Sequence, residues 1–112
     1  MKTKKDDTFK DFVFDQLGPL DGLTCRAMLG GHGLYCRGAF FGILFKNRLY
    51  FKTSATTAAK YAALGMNPFQ PSATQRLKNY YEVPGDTIED AAMLCEWALE
   101  SIAVAAQKAR GR

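Results

Sequence analysis

The run Phe41-Gly-Ile-Leu-Phe-Lys-Asn-Arg-Leu-Tyr-Phe-Lys52 constrains the fold more than any other stretch of this chain. Ala39 to Phe45 is apolar on both faces, which predicts a central strand with helices on one side and room for a partner on the other. Lys46-Asn47 then makes a two-residue turn, because Asn tolerates the left-handed backbone such turns require. Arg48 to Lys52 alternates, with Leu49 and Phe51 inward and Arg48, Tyr50 and Lys52 outward. Upstream, Leu23 to Leu29 reads as a strand and Gly33 to Cys36 as its return. Gly30, Gly31 and Gly33 mark a sharp corner between them, where glycine supplies positive φ or a bulge. Arg37-Gly38 forms the next turn. Strands joined by turns this short pair antiparallel.

The flanks are helical. Phe9, Phe12, Val13, Gln16 and Leu17 recur at helical spacing, with Asp7 or Thr8 as N-cap and Gly18-Pro19 as the stop. Ser54 caps a short Ala-rich helix, Ala55 to Leu64, that Gly65 ends. Asn67-Pro-Phe-Gln-Pro71 reads as a loop. Arg76 to Val83 alternates again: Leu77, Tyr81 and Val83 take one face, and Arg76, Lys78, Tyr80 and Glu82 the other. Pro84 and Gly85 break that strand. Asp86-Thr-Ile-Glu89 is a capping box. The last helix sets Ile88, Ala91, Ala92, Cys95, Leu99, Ile102 and Ala106 along one stripe. Trp97 lies off it, as a widening of the stripe or as a second contact. The element order α-β-β-β-β-α-β-α predicts an α+β, two-layer domain with an antiparallel sheet flanked by helices. At 112 residues the expectation is one domain over 1–112, with 1–6 and 108–112 as frayed tails.

Charge adds a constraint that the net value of +4 hides. Residues 8–107 carry nine bases and nine acids, so the body is neutral. Between Gly22 and Tyr81 there are eight bases and no acid, whereas Glu82 to Gln107 holds six acids and no base. Segregation of this kind predicts an acidic helix packed near a basic sheet, or opposed charges between partners. Cys25, Cys36 and Cys95 are odd in number and widely spaced, which argues against a disulfide framework and a closed zinc site. They read as free thiols used as small apolar residues. No apolar run reaches the length of a membrane span, and the basic start leads into no signal-peptide core. The expectation is a cytoplasmic protein with no membrane contact.

The outward set Arg37, Arg48, Tyr50, Lys52, Lys78 and Tyr80 is the candidate binding surface, because bases interleaved with aromatics on a sheet are what single-stranded nucleic-acid platforms use. The other reading is a solvated sheet face, or one covered by the acidic helix. The glycine corner lacks the strand-to-helix passage and the Lys-Ser/Thr of a phosphate loop, so Gly30, Gly31 and Gly33 read as a structural turn. His32 is the only histidine and has no carboxylate near it in sequence, so it reads as an exposed turn residue. The acids Glu82, Asp86, Glu89 and Asp90 complement a helix N-terminus without implying catalysis. No catalytic, cofactor-binding or metal-ligating set is predicted.

Taken together, R-x-M-L-G-G-H-G-L-Y, F-x-I-L-x-x-x-R-L-Y-F-K, N-P-F, Y-Y-E-V-P and L-C-E-W-A resemble the N-terminal domain of the TfoX/Sxy family, from about Phe9 to Ala106. The resemblance implies a secretion-chaperone-like topology. Family members usually have Phe where Leu29 stands. The family takes its name from regulators of natural competence in bacteria that act with the cyclic-AMP receptor protein and carry a second, helical C-terminal domain. This chain is expected to be a single-domain member without it. The expected function is therefore a small non-enzymatic regulatory or protein-binding domain, related to transcription and competence through the resemblance. Its expected partner is another protein or a second copy of itself. Direct nucleic-acid binding through the basic outer face of the sheet is the alternative.

Overall fold

The computed structural model describes residues 4–28 and 30–110, with side chains placed over 8–28 and 30–107. The elements are α1 (Lys4–Gln16), β1 (Leu23–Met28), β2 (Gly31–Cys36), β3 (Ala39–Phe45), β4 (Arg48–Lys52), α2 (Ala55–Ala63), β5 (Pro68–Ser72), β6 (Gln75–Glu82), α3 (Gly85–Glu89) and α4 (Ala91–Arg110). One antiparallel sheet runs in the order β1-β2-β3-β4-β6-β5. The expected α+β order holds, with an edge strand added and the terminal helix split. Of the tails expected to fray, 1–3 and 111–112 lie outside the described residues, and 4–6 and 108–110 carry helical backbone. Leu29 is also outside them.

The hairpin turns form where the sequence sets them. Arg37 (φ 50) with Gly38 (φ 86) and Lys46 (φ 50) with Asn47 (φ 61) are both left-handed pairs, the geometry that matches strand twist. Ser54 accepts from the Thr57 backbone and Thr57 returns a bond to Ser54 N, closing a capping box on α2. The glycine corner is narrower than expected. Only Gly30 takes positive φ (77) there; Gly31 and Gly33 are strand residues of β2. Their lack of a side chain serves close packing instead. A Cβ on Gly31 would collide with the Leu44 carbonyl, and one on Gly33 would sit 3.0 Å from the Phe40 ring.

The bulge lies elsewhere. Leu34 pairs with Gly42 and Tyr35 with Phe40, so Phe41 is an extra residue in β3. It reverses the alternation of that strand. Phe41 and Leu44 join the main core, whereas Phe40, Ile43 and Phe45 turn to the opposite face.

The main core lies between the sheet and the helices, with α4 on β3 and β4 and α2 against β6. Val13, Leu17, Leu34, Phe41, Leu49, Phe51, Tyr61 and Leu94 fill it without exposure. Trp97 belongs to this core and meets the Tyr61 ring edge-on at 4.9 Å.

Four local expectations are corrected. Asp7 and Thr8 are interior to α1, which already begins at Lys4, as no helix breaker precedes Gly18. Pro68–Ser72 is a strand, and at a sheet edge its prolines cost no ladder bond. The capping box over 86–89 does not form. Asp90 instead takes extended backbone (φ −105, ψ 97) between α3 and α4 and accepts from Met93 N at 3.1 Å, capping α4. The buried stripe of α4 is Leu94, Trp97, Ala98, Ser101 and Ala105, rotated from the expected one, and Leu99 is 55% exposed. Trp97, which lies off the expected stripe, is on the side that turns inward, and Glu96 is on the exposed side.

Candidate functional site

The face of the sheet away from the helices collects much of the outward set. Arg48, Tyr50 and Lys52 reach it from β4 by simple alternation, and Tyr80 reaches it from β6, paired with Lys52. They do not form an open platform. Tyr50 and Tyr80 are only 8% and 6% exposed, in a second core with Ile43 and Phe69. Phe69 lies 4.6 Å from the Tyr50 ring and 5.2 Å from that of Phe45, although β6 separates β5 from β4. The β5–β6 hairpin therefore curls back over this face. Register shifts on both sides of Phe69 permit the curl.

Arg37 and Lys78 do not join the cluster. Arg37 sits in the β2–β3 turn, where its backbone N–H donates to Gly22 O at 2.9 Å and its guanidinium stands 3.9 Å from Asp21 with both groups exposed. Lys78 is exposed on β6. The expected alternation fails on that stretch: Leu77 pairs with Phe69 and shares a groove with Ile43 and Phe69, so it belongs to the second face rather than with Tyr81 and Val83.

Charge on this face is largely answered from within. Arg48 Nη1 donates to both carboxylate oxygens of Glu82, at 3.1 and 2.9 Å. Lys52 Nζ lies 4.9 Å above the Tyr80 ring. Burial raises the Tyr50 hydroxyl above its ordinary pKa, with Glu82 adding to the rise and Arg48 opposing it. Burial, and then Tyr35, push Tyr80 up to about 12. Both tyrosines are thus neutral packing groups.

A ring array crosses the sheet. Arg26 on β1 lies 5.2 Å over Tyr35, Tyr35 stacks on Phe40 at 5.1 Å, and Phe40 meets Tyr80 at 5.5 Å. With Lys52 over Tyr80, three aromatics are closed by a cation at each end. Arg26, Tyr35 and Phe40 were not in the expected set. Tyr35 and Arg26 were findable, since both fall on the outward phase of their strands. Phe40 was not, because the bulge at Phe41 sets its phase.

Two grooves open at the end of the sheet where β1–β2 and β3–β4 turn. One, about 360 Å³, is lined by Lys10, Met28, His32, Phe45 and Lys46 among others. The other, about 210 Å³, has apolar walls from Met28, Ile43, Phe45, Phe69 and Leu77. His32 is half-buried in the first rather than exposed in a turn. Lys10 and Lys46 line the same groove. The thiols are free. Cys36 Sγ donates to Asp21 O and Cys95 Sγ to Gln16 O, each at 3.3 Å. Burial raises the Cys95 thiol. Cys25 lies opposite Leu34 across β1 and β2. No described helix is long and apolar enough to cross a membrane.

The family model described as the TfoX N-terminal domain matches residues 15–105, from the end of α1 into α4. No curated protein matches the chain.

Proposed function

The chain belongs to the TfoX N-terminal domain family, and from that membership we propose that it is a cytoplasmic regulatory domain that works in transcription control through protein contacts, without catalysis. Competence is the process to which its name ties the family. The observation that carries the reading is the match over residues 15–105. The cover over the two tyrosines of the expected nucleic-acid set weighs against base stacking on them. A base stacks on an aromatic only if the ring is free, and Tyr50 and Tyr80 are sealed under Phe69 and Phe40.

The test is transcript profiling of the native host with the gene deleted and then restored. A defined set of transcripts that changes on deletion and recovers on restoration is the expected result. An unaltered transcript profile, with an enzymatic or structural phenotype in its place, contradicts the reading.

A further inference from the structure

We propose that two copies of this chain pair through their β1 edges, antiparallel, in the register that sets Cys25 opposite Cys25 of the second copy. The sheet is open, with β1 and β5 at its two edges, and the edges are built differently. On β5, Pro68 and Pro71 supply no N–H, and the register breaks around Phe69. These are standard means of blunting an edge against strand pairing. β1 has neither. It pairs with β2 without interruption from Leu23–Cys36 to Met28–Gly31, and holds no proline and no lysine. Thr24, Arg26, Ala27 and Met28 are exposed. Its single charge, Arg26, is drawn inward over the Tyr35 ring on the neighbouring strand, so it does not guard the edge.

The side chains choose the register. Antiparallel partners must share a face, so a two-fold pairing centres on a residue of the strand. Centred on Arg26, it opposes two guanidinium groups, which is unfavourable. Centred on Thr24, it pairs only Leu23 to Cys25 and leaves Arg26, Ala27 and Met28 beyond the paired strands. Centred on Cys25, it sets Leu23 against Ala27 of the second copy on the helix side, and Thr24 against Arg26 on the other. Leu23 and Cys25 already border the main core, so this pairing extends that core across the junction. Each Arg26, leaning over its own Tyr35, points away from the other.

Sedimentation velocity of the full chain over a concentration series reads the equilibrium directly. A monomer–dimer equilibrium is expected. Thr24 is exposed, so its variants keep the fold, which their melting curves verify. T24E meets Arg26 of the second copy and tightens the dimer several-fold; T24R sets like charges together and weakens it by a similar factor. A short bis-maleimide, which adds across two nearby thiols, is expected to trap the dimer. C25S abolishes the crosslink and C95S keeps it. A monomer at every concentration overturns the proposal, as does a dimer indifferent to both Thr24 variants or crosslinked without Cys25.

Discussion

The glycines of this chain do different work at the scale of single residues. Gly38 is needed for its backbone, since it sits at φ 86 with open space where a Cβ would be. Gly31 is needed for its absent side chain, because a Cβ there meets the backbone of Leu44 on the next strand. Gly38→Ala is expected to cost about 1 kcal/mol, the price of a left-handed alanine. Gly31→Ala is expected to cost about 3 kcal/mol, as in forced overpacking. Urea denaturation of both variants checks the order. The sequence shows a glycine-rich corner but cannot divide these roles, because the close approach belongs to the strand that comes later. Buried hydroxyls act at this scale as well. Burial holds Tyr61 well above its ordinary pKa. Ser101 opposes that rise and Glu100 adds to it, yet among the described residues neither hydroxyl has a partner in bonding geometry. Tyr80 rises from 10.0 to about 12. The unfolded chain therefore ionises these tyrosines first, and the native state binds more protons over that interval. Stability is whole below pH 10 and is expected to fall as pH rises from about 10 toward 12. Tyr80→Phe should flatten part of that fall. A profile of melting temperature against pH that is level through this range contradicts the assignment.

At the scale of elements, the bulge at Phe41 and the curl of β5 build the second core. Each large apolar side chain fully buried contributes about 1.5 to 3 kcal/mol, so this face is part of the stability of the domain. Phe69→Ala is expected to destabilise by about 3 kcal/mol or more, although the residue lies in a stretch that reads as a loop. Leu99→Ala, on the exposed side of α4, is expected to stay within about 0.5 kcal/mol. Chemical denaturation that ranks them the other way refutes the second core. The hairpin turns and the Ser54 cap were legible because each is set by residues next to one another. The β5 strand was not, since Pro68 and Pro71 suppress a strand reading and only the edge position removes their cost. The split at Asp90 was also hidden. Glu89 offers a competing capping box in the sequence, and the fold places the cap of α4 at Asp90 instead.

At the scale of the molecule, two bridges among the described residues join the basic and acidic segments, and they differ in position. Arg48 holds Glu82 across neighbouring strands, and Lys60 on α2 holds Glu100 on α4 at 2.8 Å. Lys60 also lies 4.1 Å over the Trp97 ring. The segregation seen in the sequence is thus answered in part inside the fold. Both ends of the Lys60–Glu100 bridge are partly exposed, so Glu100→Lys is expected to cost no more than about 1 kcal/mol. A larger loss in thermal denaturation shows that the bridge is better shielded than its exposure implies. The antiparallel two-layer architecture was readable from turns and periodicity. The fate of the outward face was not, because alternation gives the side of a sheet and says nothing of a hairpin that folds over it.

That fate decides between a packed surface and a binding one. The direct measurement is fluorescence anisotropy of labelled single-stranded DNA, double-stranded DNA and RNA with the full chain, titrated with salt. With the Tyr50 and Tyr80 rings covered, the account predicts no saturable binding at physiological salt and only weak, salt-labile association below it. Micromolar or tighter binding that persists at that salt and is lost in Arg48→Ala and Lys52→Ala contradicts the account.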